Sequence, residues 1–340
     1  MGWLHNLLRK EPEDTFFGPI AADGNPAPPP SRSSLPLGTT VDPESAYLHL
    51  SLEAMRLSAT RRRSQTYYGS VISSCGILGD SGWTELAAVA APNALRGVDP
   101  KHLDRVITAT TSLISAVPYR GGGLDLEIGL FALPEEYLLG PYLDFLSDVA
   151  GIASGFLPLA GAMAAAALLP AVHKGLDQLF GASTRAILDV GLLRKWEPPI
   201  TGHYAVVRGV LEPTGGFRVS AAGRLLLPDG TEVQAPYLVL RLDARTERET
   251  WREIPEVSLA HQRLKAAVRS GDVQAAKWAV GEFRRIADDS PGLLSEDAQR
   301  LSGLMDKYAT DRLDATGTGA SPDNVPDFPE LADIDLYADR

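Results

Sequence analysis

The chain has 340 residues, 44% of them hydrophobic, one cysteine and a formal net charge of −11. That length holds one large domain or two ordinary ones with a real core. The acidic balance speaks against a nucleic-acid face or electrostatic docking on anionic lipid, and a lone cysteine excludes an intrachain disulfide and points to a cytoplasmic location.

The first ten residues place Trp3, Leu4, Leu7 and Leu8 on one side of a short amphipathic helix, too short to be stable alone. It is expected to order only on a partner or a membrane surface. Residues 11–42 carry Pro26, Pro28, Pro29, Pro30 and a Ser-Arg-Ser-Ser run. Residues 1–42 are therefore expected to be a disordered tether with that amphipathic start.

Order is expected from Tyr47. Leu48, Leu50 and Leu52 alternate with His49, Ser51 and Glu53, the pattern of a half-buried strand. Thr66 to Leu78 is β-rich, ends in Gly79-Asp80-Ser81-Gly82 and returns through Trp83 to Ala91. Asp99-Pro100 predicts a short helix and Val106 to Ile114 another strand. After Gly121-Gly122-Gly123, Leu124, Leu126, Ile128 and Leu130 alternate with Asp125, Glu127 and Gly129. This is the clearest strand signal in the chain. Residues 43–133 thus read as a β-rich domain.

From Pro134 the period becomes helical, and 134–197 is expected to be an apolar helical block. Its centre, Val149 to Val172, is 24 residues without Asp, Glu, Lys, Arg or His. A spanning helix needs about 20 apolar residues, but Pro158 divides this run and Pro170 ends it. Burial against the protein's own helices is the favoured reading. If the run does touch a bilayer, Ile152, Phe156, Leu157, Leu159, Met163, Leu168 and Leu169 are the contacts. Residues 198–250 return to β character, with a Pro228-Asp229-Gly230 turn before Tyr237 to Leu242, and extend the same sheet system or form a second one.

Residues 251–308 read as a helical hairpin or bundle. Leu264, Ala267 and Val268 line one helix, Gly271-Asp272 separates it from a second lined by Val273, Ala276, Val280, Phe283 and Ala287, and a third ends near Tyr308. Residues 309–340 form an acidic tail expected to be disordered. It holds eight acids against Arg312 and Arg340. Phe328, Leu331, Ile334, Leu336 and Tyr337 punctuate those acids, a pattern that can dock in a partner's groove.

Chemical motifs mostly fail. Gly79-Asp80-Ser81-Gly82 matches the string around a serine-protease nucleophile, but the histidine and aspartate that should precede it are missing in context. The six histidines show no metal-ligand spacing. Asp125 and Glu127 share one face of a strand and read as solvating it. Cys75 reads as an inert buried thiol. No catalytic, cofactor-binding or metal-binding residue is assigned.

The expected fold is α+β: a β-rich, sandwich-like scaffold with an embedded apolar helical block and a C-terminal helical module. The expected function is that of a non-enzymatic adaptor in a bacterial multiprotein assembly, with protein partners held through both termini and the C-terminal helices. A membrane-perturbing effector acting through residues 149–172, peripheral at the membrane, ranks second. An enzyme with a site assembled from scattered residues ranks third.

Overall fold

The computed structural model describes residues 15–22, 31–62, 65–79, 82–90, 106–135, 187–209, 213, 215–220 and 223–317. The chain divides into two compact units between Ile254 and Pro255, and the fold is α+β with a β-rich scaffold.

The first unit holds β1 (Thr15–Ala22), β2 (Tyr47–Arg56), β3 (Arg61–Arg62), β4 (Gln65–Gly79), β5 (Gly82–Ala90), β6 (Val106–Pro118), β7 (Leu124–Pro134), β8 (Ile187–Trp196), β9 (Gly202–Arg208), β10 (Arg218–Val219), β11 (Leu225–Leu226) and β12 (Tyr237–Arg245). They form a seven-stranded sheet in the order β11-β10-β1-β9-β12-β2-β6 and a five-stranded sheet in which β3-β4-β7-β8 run in order and β5 also pairs with β4. Val71 of β4 lies opposite both Ala90 and Leu130, so β5 and β7 flank β4 on its two edges.

Alternation decides which faces meet. Leu48, Leu50 and Leu52 from β2 and Leu238, Leu240 and Leu242 from β12 share one buried cluster with Val71, Cys75 and Ile77 from β4 and Leu124, Leu126, Ile128 and Leu130 from β7. Two sheets contributing alternate residues to one core make a sandwich. Phe17, Trp196 and Tyr204 close part of that core from β1, β8 and β9. Trp196 and Tyr204 stand edge-on with centroids 4.3 Å apart, and Phe17 stacks on Tyr204 at 5.5 Å. Such ring pairs add about 0.5–1.5 kcal/mol beyond burial.

The crossing from one sheet to the other between β6 and β7 needs glycine. Gly121, Gly122 and Gly123 have φ of +96°, +76° and +77°, which side-chain-bearing residues adopt only at a cost. A Cβ on Gly123 would also stand 2.9 Å from the Trp196 carbonyl oxygen.

The opposite face of the seven-stranded sheet carries a second core. Ala205, Val207, Tyr237 and Val239 are covered there by Phe217, Val219, Leu225 and Val233. Buried Arg56 ties this cover down, donating from Nη1 to Glu232 at 2.6 Å and from Nη2 to Gln234 at 2.8 Å.

Two sequence expectations are corrected here. Residues 1–42 are not a tether throughout. Thr15–Ala22 is a strand in register with β9, from Thr15 opposite Arg208 to Ile20 opposite His203. Farther on, Leu35 N donates to Ala244 O and Val41 N to Pro199 O, and Val41 is buried. The strand was disguised because its adjacent phenylalanines are covered on opposite faces: Phe17 enters the sandwich core while Phe16 meets Phe217 edge-on at 5.1 Å on the other side. Adjacent apolar residues packed on opposite faces hide the apolar–polar alternation. Pro19 is tolerated because β10 pairs only with Ala21 and Ala22, leaving the edge at Pro19 open.

The helical block expected over 134–197 also fails at its end, since residues 187–196 are β8. A register shift at Leu130/Phe131 turns Ile187 toward the core and lays Leu188 beside Phe131 over Gly129 on the outer face. The bulge breaks the two-residue period, so the apolar spacing imitates a helix. The rest of that block past Glu135, including the uncharged run, lies outside the described residues, as does the short helix expected at Asp99-Pro100. Among those described, no helix is long and apolar enough to cross a membrane.

The second unit is α1 (Pro255–Arg269), α2 (Val273–Asp288) and α3 (Ser295–Gly317). Pro255 opens α1 at the position where a missing N–H costs nothing. Gly271, at φ +72°, precedes Asp272, whose carboxylate accepts from Gln274 N at 2.9 Å and Ala275 N at 3.0 Å. These are the stop and start that the sequence indicates. α2 packs against both α1 and α3, burying Ala276, Val280, Phe283 and Ala287. Val273, expected in that stripe, is exposed at the first turn of α2. α3 continues through Gly317 rather than ending at Tyr308, so the start of the expected tail is helical, with Thr310 Oγ1 donating to Asp306 O.

Candidate functional site

The residues singled out as partner contacts (Trp3, Leu4, Leu7, Leu8, Phe328, Leu331, Ile334, Leu336 and Tyr337) lie outside the described residues. So do the proposed membrane contacts from Ile152 to Leu169. Among the described residues no group of three His, Cys, Asp or Glu side chains is placed to hold a metal ion.

The scattered polar candidates separate onto two faces of the sandwich. His49 and His203 lie on the outer face of the seven-stranded sheet, on either side of β12, with His49 opposite Asp243 and His203 opposite Arg241. Asp125 and Glu127 lie on the outer face of the other sheet. These four residues therefore do not converge on one cleft. His203 Nε2 sits 3.3 Å from Glu53 Oε2. His49 Nδ1 accepts from Ala116 N at 3.3 Å. Burial, reinforced by Arg245 and Arg248, pushes His49 down to about 3, so it is a neutral ring at neutral pH. Cys75 is buried in the sandwich core. Burial, with help from Asp125 and Glu85, pushes its thiol up to about 12, which removes it as a nucleophile.

The Asp125/Glu127 face forms an open cleft of about 460 Å³. Register builds its floor. Gly76 lies opposite both Glu85 and Asp125, Ser74 lies opposite Glu127, and Asp125 lies opposite Lys195. Glu127 does not simply solvate the sheet as alternation suggests; it is buried, while Asp125 is exposed. Ser74 Oγ donates to Glu85 Oε1 at 2.5 Å. The Lys195 ammonium reaches Glu197 at 2.7 Å, and that hydrogen bond raises its pKa, so the rim carries an ammonium paired with a carboxylate. Trp83 crosses the floor in the space that a side chain on Gly76 would fill, and it remains 49% exposed.

The second unit presents a different surface. Trp278 of α2 is 71% exposed. At 100° per residue it points away from the Ala276/Val280/Phe283 stripe and shares its side with Gln274, Gly281 and Arg285. Small Gly281 leaves the indole uncovered. Lys277, Arg284 and Arg285 are exposed around it, and the nearby Glu282 is engaged by Arg263 at 2.7 Å. Arg285 also reaches Asp289 at 3.5 Å, an exposed pair of little strength. Neither tryptophan was found by motif reasoning. Trp278 was detectable from the helical spacing, as a large apolar residue placed opposite the core stripe.

No protein-family model matches the chain, and comparison with curated proteins and with solved structures finds no match.

Proposed function

We propose that the chain is a non-enzymatic adaptor whose C-terminal helical unit docks an acidic, apolar-punctuated segment of a partner protein on the Trp278 side of α2. The observation that carries this reading is Trp278 itself, with most of its surface in water on a well-packed helix. Tryptophan is the residue most enriched among interface anchors, and leaving one this exposed is costly unless something covers it. Charge chooses the occupant. Arg263, Lys277, Arg284 and Arg285 outnumber Glu282, Asp288 and Asp289 by one on this side, so a segment with aspartates between large apolar residues meets both the indole and the cations.

The test uses the full chain labelled with ¹⁵N-tryptophan and a synthetic peptide in which Phe, Leu and Ile alternate with Asp. The indole signal that disappears in Trp278→Ala should shift on titration. The affinity should fall about 30-fold in that variant, as for an interface anchor worth about 2 kcal/mol. Salt and the Lys277→Glu, Arg285→Glu double variant should weaken binding as well. An unmoved Trp278 signal, or equal binding by Trp278→Ala, rules the reading out.

A further inference from the structure

We infer that the cleft on the outer face of the five-stranded sheet is a saccharide-binding site, independent of the helical docking surface. Three features of the cleft converge on that ligand class. The first is a platform. Trp83 lies against the sheet at Gly76, where a Cβ would stand 2.4 Å from its Nε1 and 2.9 Å from its Cε2. The sheet therefore fixes the indole while half of it remains in water. A fixed, half-exposed aromatic ring suits the apolar C–H face of a sugar at little entropic cost.

The second feature is the hydrogen-bonding rim. Glu85 and Asp125 supply carboxylate acceptors on either side of Gly76, and Lys195, opposite Asp125 in register, supplies donors beside it. Neighbouring hydroxyls on a sugar ring both donate and accept, so they are satisfied by acceptors and donors presented together.

The third feature is charge, which separates a sugar from the competing ligands. An aromatic ring beside carboxylates also attracts organic cations. Here, however, the Lys195 ammonium stands opposite Asp125, held by Glu197, and although the cleft is acidic on balance this cation shares its rim. The acidic balance disfavours a phosphate, and the Lys195 donors, which repel a quaternary ammonium and have nothing on it to bond, favour a neutral polyhydroxylated ligand. The volume, about 460 Å³, falls in the range of small-molecule sites, roughly 300–1,000 Å³. The cleft is open, so it accepts part of a chain as readily as a free sugar.

The experiment titrates the full chain, ¹⁵N-tryptophan labelled, with maltotriose, cellotriose and tri-N-acetylchitotriose at millimolar concentration, and with tetramethylammonium as the cation control. The Trp83 indole signal is assigned by its loss in Trp83→Phe. At least one sugar should shift it, at least tenfold less tightly in Trp83→Ala and several-fold less tightly in Asp125→Asn. Both substitutions are at exposed positions, and thermal unfolding verifies that each variant is folded. The inference is overturned if no sugar moves the Trp83 signal, if tetramethylammonium moves it and the sugars do not, or if Trp83→Ala binds as well as the wild type. The Trp278 signal serves as internal reference and should stay still, so failure here leaves the helical reading standing, and the reverse.

Discussion

Gly76 and Trp83 occupy one shared volume: a Cβ on residue 76 would stand 2.4 Å from Trp83 Nε1, closer than real carbon contacts allow. The glycine is there for the indole, because its own strand position is extended and any residue could adopt it. Gly76→Ala should therefore displace the ring rather than unfold the sheet. We expect a changed Trp83 indole signal and fluorescence with a stability change within about 1 kcal/mol, since an exposed indole can swing away and alanine suits a strand better than glycine. Urea unfolding beside tryptophan NMR checks both halves. A large loss of stability with an unmoved indole would show that Gly76 serves the backbone instead.

Much of the scaffold was legible in the sequence, and the misses share one physical cause. Leu48/Leu50/Leu52 and Leu124/Leu126/Ile128/Leu130 alternate because each has one face in the core and one facing outward, and both read as strands. Thr15–Ala22 sends Phe16 to one core and the adjacent Phe17 to the other, so its alternation is absent. Leu188 and Val190, two residues apart, point to opposite faces because the bulge at Asp189 stands between them, so the alternation of β8 is broken. The helical boundary at Gly271-Asp272 was legible because capping chemistry is local. The cleft was not, since it depends on which strands become neighbours: Glu85, Asp125 and Lys195 come from β5, β7 and β8, and nothing in their own segments announces the others.

Asp189 sits in the β8 bulge with no exposed surface, and its two oxygens accept from Ser58 N and Ser58 Oγ, each at 2.8 Å. The carboxylate thereby holds the turn that leaves β2. Hydrogen bonds to a charged acceptor contribute about 1.5–3 kcal/mol each, and a buried donor left alone is costly. Asp189→Ala should destabilise the first unit by about 3 kcal/mol and Ser58→Ala, which keeps the backbone bond, by about 1 kcal/mol. Chemical denaturation with an unchanged m-value is the measurement. Equal losses from the two substitutions would mean that the backbone bond carries nothing.

Arg56 and Arg224 both reach Glu232, at 2.6 and 2.9 Å, but only Arg56 is buried; the Arg224 side chain is 42% exposed. Desolvation separates their effects. Arg56→Met strands part of the Glu232/Gln234 network and should cost about 2 kcal/mol, less than the 3–5 kcal/mol typical of a broken buried pair because Arg224 remains. Arg224→Met should cost under about 1 kcal/mol. Amide exchange adds a local readout: Leu225 and Val233 should lose protection first in Arg56→Met, because the second core is fastened to β2 there. Uniform loss of protection across the sandwich would contradict that fastening.

His49 gives the fold an acid-sensitive point. Its folded pKa is depressed from 6.5 to about 3, chiefly by burial and then by Arg245 and Arg248. Below pH 6.5 the unfolded chain takes up a proton that the folded chain refuses. The contribution is therefore complete above pH 6.5 and is lost as pH falls toward 3, with a slope approaching 1.4 kcal/mol per pH unit. The full loss is about 5 kcal/mol. An asparagine side chain at this position can still accept the Ala116 N–H through Oδ1 but does not titrate. The stability of the His49→Asn variant should therefore fall less steeply than that of the wild type between pH 6.5 and 4, while their difference stays constant above pH 7. Urea unfolding at a series of pH values measures it, and parallel profiles over the acid range would show that His49 is protonated in the folded state after all.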